Sequence, residues 1–267
     1  RRLDPVPFLL ALACAANVGS AATLIGNPQN MLIGQTLRLS FAGFLKDALV
    51  PAALGLLCVW LLILLVYRGR FARDTPLPAV EAVALNRWQT LKGLIILTLL
   101  VAGFLGAPVP REVLALGAAA VLLTSRRMAS RDLIGLVDWH MLVLFMGLFV
   151  VNHAFAQAGF AARVSMGLAE AGVPLGDPRW LFPVTVVVSN LVSNVPAVML
   201  LLPHATHPLA GPVLALASTL AGNLLIVGSI ANIIVVEQAG ALGVRIGWRE
   251  HARVGIPVTL ATLALAA

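Results

Sequence analysis

Asn17-Val18-Gly19-Ser20-Ala21-Ala22-Thr23-Leu24-Ile25-Gly26-Asn27-Pro28-Gln29-Asn30 occupies the centre of Val6 to Gln35, an apolar run that holds no charged residue. A run of this length reads as a membrane crossing. A continuous helix is not written with Gly, Ser, Asn and Pro at its middle, so the sequence predicts a helix broken between Gly19 and Pro28. In hydrocarbon an unpaired backbone group costs several kcal/mol, and irregular backbone at membrane depth survives only where it is buried in protein or lines a polar cavity. In an unbroken helix Pro28 would clash with the carbonyl of Leu24, which leaves that oxygen free to meet a cation.

Outward from this stretch the chain keeps the same character. Of its 267 residues 60% are hydrophobic and only 11% are charged, against roughly a quarter charged in soluble domains. The apolar segments are Phe44 to Tyr67, Thr90 to Gly106, Val113 to Thr124, Asp138 to Ala158, Trp180 to Pro203, Leu209 to Gly240 and a last one from Val254. Pro108 and Pro110 set off a tight hairpin between the third and fourth runs of the chain. The net charge of +7 lies in the loops, which is the bias of cytoplasmic connections and not a nucleic-acid surface. Strict alternation puts thirteen of the eighteen Lys and Arg residues inside, among them the Arg68 to Arg87 and Arg245 to Arg253 groups. Cys14 and Cys58 stand alone in apolar segments, without spacing for a disulfide framework or a zinc site.

Two further segments are interrupted as the first is. Trp180 to Pro203 carries Ser189-Asn190-Leu191-Val192-Ser193-Asn194-Val195-Pro196 and is too short for two crossings, so it reads as a re-entrant hairpin with a polar tip. Leu209 to Gly240 carries Gly222-Asn223 and Gly228-Ser229-Ile230-Ala231-Asn232. Leu24-Ile25-Gly26 and Asn30 match Ile226-Val227-Gly228 and Asn232 at a constant offset of 202. With the two segments crossing in opposite senses, the match predicts an inverted-topology repeat. Residues 1–88 are then the C-terminal part of the first repeat and 89–267 the second, with scaffold helices 89–158, hairpin 180–203, broken helix 209–240 and final helix 254–267. The same offset expects the twin of the hairpin before Arg1, in a missing piece of about 110 residues that holds half of the site.

The three interrupted motifs, in this order, resemble the signatures of the ion transporter superfamily of arsenite permeases, sodium/proton antiporters, citrate carriers and sodium-coupled divalent-anion carriers. The resemblance implies an all-α integral membrane protein of the inner membrane, with discontinuous helices, a re-entrant hairpin and elevator-type alternating access. It implies substrate or cation binding by Thr23, Gly26, Asn27 and Asn30 at one site. The other site would use Ser189, Asn190, Ser193, Asn194, Gly222, Asn223, Gly228, Ser229 and Asn232. No cofactor is implied beyond a coupling ion, sodium or proton; partners are the lipid bilayer, a small anion or oxyacid, and a second copy in a homodimer. Val195 follows Ser193-Asn194 where dicarboxylate carriers place a hydroxyl, and Asn-Val-Pro-Ala is worded like the arsenite permease branch.

Glu237 is the only charge in Leu209 to Gly240, and an intramembrane carboxylate is a candidate for proton coupling. Without a thiol cluster, arsenite would travel as its neutral hydroxide, hydrogen-bonded by Ser, Asn and backbone groups. A sodium-coupled di- or tricarboxylate or sulfate carrier is the alternative substrate reading. A channel is the alternative class, because half-helices that meet at a midplane also build pores. No zinc His pair, Ser/Lys dyad or Asp pair lies in a span, so an intramembrane enzyme is disfavoured.

Overall fold

The computed structural model describes residues 4–71, 86–124, 130–135 and 137–267. The expected cytoplasmic residues Arg1, Arg2, Arg73, Arg126 and Arg127 lie outside the described residues. The described elements are helical: α1 (Val6–Ser20), α2 (Pro28–Thr36), α3 (Phe41–Val66), α4 (Arg87–Gly106), α5 (Arg111–Leu123), α6 (Ser130–Gly135), α7 (Trp139–Gln157), α8 (Phe160–Glu170), α9 (Pro178–Val192), α10 (Asn194–Leu201), α11 (Ala210–Ala221), α12 (Ile230–Ala241) and α13 (Trp248–Ala266). They fall into two compact units, one of residues 1–75 with 150–267 and one of residues 76–149.

In the larger unit α3 is the longest helix. Its 26 residues span about 39 Å at 1.5 Å per residue, enough to cross a bilayer with some tilt. Phe44, Ala48, Ala52, Gly55, Val59 and Ile63 recur every three or four residues and form its buried stripe. Leu54, Leu57, Trp60 and Leu61 are exposed on the other side, and a helix apolar on both faces suits lipid, not water. The stripe of α3 packs on α13 and α1. At Gly55 an added Cβ would stand 2.7 Å from Val18 Cγ1 and 3.3 Å from Thr262 Cγ2, so the three helices meet closely there.

Helix α11 is buried along nearly its whole length, from Ala210 to Ala221, and packs on α9, α13, α10, α2, α1 and α3. Small residues such as Ala215, Ala217 and Ser218 let these neighbours approach. Around α11 stand the three interruptions: residues 21–27 between α1 and α2, Ser193 between α9 and α10, and residues 222–229 between α11 and α12.

In the smaller unit α4 and α5 form an antiparallel pair joined through Ala107 to Pro110. Gly103 faces the Leu114 side chain, and Lys92 Nζ donates to the Val121 carbonyl at 3.4 Å. Helix α4 is also long and apolar enough to cross a membrane, and none of its residues is buried within the unit.

Two readings of the sequence are corrected. Helix α13 starts at Trp248, not Val254, because His251 continues the buried stripe of Val254, Gly255, Val258, Thr259 and Thr262 while Arg249 and Glu250 take the polar side. Helix α8 is additional: Arg163 and Glu170 hide it from a hydropathy reading. The break expected between Gly19 and Pro28 is found at residues 21–27, and Pro28 opens α2 at a position where its missing N–H costs nothing. The freed carbonyls of Ser20 and Thr23 gain a new partner there, the Asn30 side chain.

Candidate functional site

The first break begins where Ser20 ends α1, its hydroxyl turned back onto the Asn17 carbonyl at 2.8 Å. Asn27 starts the chain off again: its Oδ1 accepts from Asn30 N at 2.8 Å, an N-cap for α2. Its Nδ2 donates to Ser20 Oγ and to Thr219 Oγ1, each at 3.1 Å. Asn30, fully buried, donates its Nδ2 to the carbonyls of Ser20 (3.3 Å) and Thr23 (3.0 Å). Thr23 thus enters the site through its backbone. Gly26 is required by space, since a Cβ there would fall on the Ser20 carbonyl.

The second break repeats this design. Asn232, also fully buried, donates Nδ2 to the carbonyls of Gly222 (2.9 Å) and Leu225 (3.2 Å). Ser229 caps α12 by accepting from Ala231 N at 3.2 Å. Gly228 lies against the Gly222 carbonyl, 3.1 Å from a built Cβ, and faces Asn190 Oδ1 at 3.3 Å.

At the hairpin, Ser193 joins α9 to α10 with φ +75° and ψ 162°, a conformation that side chains other than glycine rarely adopt. Asn194 follows and is buried; with its carboxamide nitrogen turned to the acceptors around it, it donates to Ser218 O (3.0 Å) and Gly228 O (3.1 Å) and meets Ser189 Oγ. Ser189 Oγ also reaches the Ser218 carbonyl at 3.2 Å. The hairpin is thereby tied to α11 and to the second break by polar groups. Asn190 donates to Val186 O at 3.0 Å and turns its Oδ1 toward Gly228.

All thirteen uncharged candidates from the sequence lie at these three interruptions. Glu237 does not: it is exposed on α12, two turns beyond the cap. Beside Ser20 and Gln29, the network draws in Asn17, Thr219, Ser218 and His251, none of them a candidate from the sequence. Asn17, buried in α1, donates Nδ2 to Asn223 Oδ1 (2.8 Å) and Asn232 Oδ1 (3.1 Å), and its Oδ1 accepts from Ser229 Oγ. Thr219, buried in α11, accepts from Asn27 and from Gln29 Nε2 at 3.3 Å. Ser218 supplies its carbonyl to the hairpin. His251 approaches from α13 with Nε2 3.0 Å from the Asn223 carbonyl. A carbonyl only accepts, so Nε2 carries the proton. Only the offset could have pointed to two of them, because Asn17 and Thr219 stand 202 positions apart.

Three polar atoms at the breaks have no hydrogen-bond partner among the described residues: the acceptors Asn30 Oδ1 and Asn190 Oδ1 and the donor Asn223 Nδ2. Buried amides in this state are available to a ligand or to water. The site therefore offers neutral donors and acceptors together with two half-helix N-termini, whose free N–H groups favour an anion or polar solute.

A sequence profile described as citrate transporter matches residues 1–213. Inner membrane protein YbiR of Escherichia coli is 33% identical, over 94% of this chain and 63% of its own length. A 46 kDa membrane protein of Mycobacterium leprae is 30% identical, over 99% of the chain and 67% of its own. The silicon efflux transporter LSI3 of Oryza sativa is 27% identical, over 99% and 70%. The chain spans about two thirds of the length of these relatives. On the matched family and these relatives, the chain belongs to the citrate transporter family and is an all-helical integral membrane transporter, not an enzyme.

Proposed function

We propose that the protein is a secondary transporter of small oxyacids of the arsenite type, carried as neutral polyhydroxy species. The observation that supports this best is the chemistry of the described residues at the breaks: amide, hydroxyl and backbone groups converge there, and three of them are unpartnered among the described residues. A neutral hydroxide needs many donors and acceptors and no full countercharge. A multiply charged anion in the same place carries a large desolvation cost unless a cation accompanies it. The silicon efflux relative supports the same class, since dissolved silicon at neutral pH is a neutral tetrahydroxide.

In this reading the two broken helices belong to an inverted repeat, 1–88 and 89–267, whose two-fold axis lies in the membrane plane. The α9 and α10 pair is a re-entrant hairpin, and alternating access is of the elevator kind. Thr23, Gly26, Asn27 and Asn30 serve one site; Ser189, Asn190, Ser193, Asn194, Gly222, Asn223, Gly228, Ser229 and Asn232 serve the other. The coupling ion is sodium or a proton, with Glu237 as the proton candidate. The protein resides in the inner membrane, and two copies form a dimer.

The second reading, a sodium-coupled citrate or dicarboxylate carrier, is favoured by the family description. Uptake by the full-length protein in proteoliposomes separates the two. Arsenite or silicic acid should be taken up with saturation and counterflow, whereas sodium-dependent citrate uptake alone would reverse the choice. Saturation without counterflow would favour a channel.

A further inference from the structure

Each broken helix resumes at a capping residue, Asn27 for α2 and Ser229 for α12. Neither cap is held by its own repeat alone. Asn27 Nδ2 donates to Thr219 Oγ1, which lies near the end of α11, and Ser229 Oγ donates to Asn17 Oδ1, near the end of α1. Under the offset of 202, Asn17 corresponds to Thr219 and Asn27 to Ser229. The two contacts are therefore one contact made twice with the partners exchanged, the pattern that a two-fold axis produces. Nothing in the packing of a single broken helix requires the exchange.

We infer that Asn17 and Thr219 are reciprocal positioning residues: each fixes the cap of the half-helix in the opposite repeat, so that the two binding ends are ordered together. The inference rests on the transporter reading for its functional meaning, but its physical core does not. A half-helix N-terminus binds a ligand only when its first N–H groups are aligned, and alignment follows from the cap. Thr219 is 1% exposed and Asn17 5%, so neither bond is exchanged for solvent without moving α1 or α11. Loss of order at one break weakens the hold on the other, which makes ligand binding at the two sites positively coupled through shared order.

The test uses hydrogen exchange on the full-length protein in nanodiscs, without substrate. Thr219→Val keeps shape and removes the acceptor. It should speed exchange about tenfold at the amides of Asn30 and Met31, 189 and 188 positions away, as loss of one hydrogen bond predicts. Thr219→Ser, which keeps the hydroxyl, should restore protection. In mirror image, Asn17→Ala should speed the amides of Ala231 to Ile233. If Asn17→Ala does not fold, the Thr219 pair decides alone. Changes confined to α11 itself, or equal behaviour of Val and Ser at 219, would overturn the inference. A failure of the substrate panel with the exchange pattern intact would instead count against the transport reading.

Discussion

Asn30 and Asn232, 202 positions apart, make the same two hydrogen bonds: Asn30 holds the carbonyls of Ser20 and Thr23, and Asn232 holds those of Gly222 and Leu225, each at the same offset. The offset seen faintly in the sequence thus reappears as matching hydrogen bonds. The Asn carboxamide replaces the helical N–H donors that the break takes away, which is how a chain interrupts a helix among apolar neighbours without leaving its carbonyls bare. Substituting either Asn with Ala should lower stability by about 1–3 kcal/mol, because two buried acceptors lose their donor. Thermal unfolding of the purified protein measures it, and the two losses should be of similar size.

The equivalence is not complete, and the glycines give a graded prediction. A Cβ at Gly26 would fall on the Ser20 carbonyl, whereas one at Gly228 would stand 3.1 Å from Gly222 O and 3.3 Å from Asn190 Oδ1. Both carbonyls are backbone, but the first contact requires the chain to shift whereas the second asks it to give by only a few tenths of an ångström. Gly26→Ala should therefore prevent accumulation of folded protein in the membrane, while Gly228→Ala should be tolerated at a cost of about 1 kcal/mol. Expression followed by size-exclusion profiles reads both, and the reverse order would mean that the first break has been misread.

Much of this architecture was legible in the sequence because membrane helices advertise their interruptions. Asn27-Pro28 and Gly228-Ser229 are poor in a helix interior and good at a start, and in an apolar run no other explanation competes. What stayed hidden depends on which faces meet. Asn17, Thr219 and His251 lie within ordinary helical stretches, and a lone polar residue there carries no mark of its partner. Pro28 was visible, because a proline after Gly and Asn in an apolar run marks both the end of a break and the first turn of the helix that resumes. The extension of α13 back to Trp248 was masked because Arg249, Glu250 and Arg253 lower its apolarity while leaving its buried stripe intact.

His251 gives a prediction of its own. Its Nε2–H satisfies the Asn223 carbonyl inside the second break, and Gly255, one turn on, lets α13 approach that carbonyl closely. His251→Gln keeps an N–H donor of similar reach and should preserve folding and uptake. His251→Ala removes the donor and leaves a void, and should cost about 2–4 kcal/mol with uptake falling in parallel. Melting temperatures of the two variants against wild type decide the matter; equal losses would mean that the imidazole itself, and not merely an N–H donor of similar size, is what the break needs.

Asn194 and Glu237 bear on the transport reading itself. Asn194 sits where α10 begins and ties the hairpin to Gly228 O of the second break and to Ser218 O of α11, so it can sense whether hairpin and break are together. Asn194→Ala should severely weaken uptake while folded protein remains in the membrane, since the groups it leaves behind are those that would contact substrate or cation. A packing role would lower yield or melting temperature and leave affinity unchanged in the protein that survives. Glu237 is exposed and two turns from the cap, so Glu237→Gln should leave substrate affinity as it is. What it should change is the driving force: with proton coupling through this carboxylate, uptake loses its dependence on pH across the range tested. Uptake measured across that range in both variants separates the two roles. Wild-type affinity in Asn194→Ala together with a wild-type pH profile in Glu237→Gln would mean that the binding site and the coupling group both lie elsewhere in the protein.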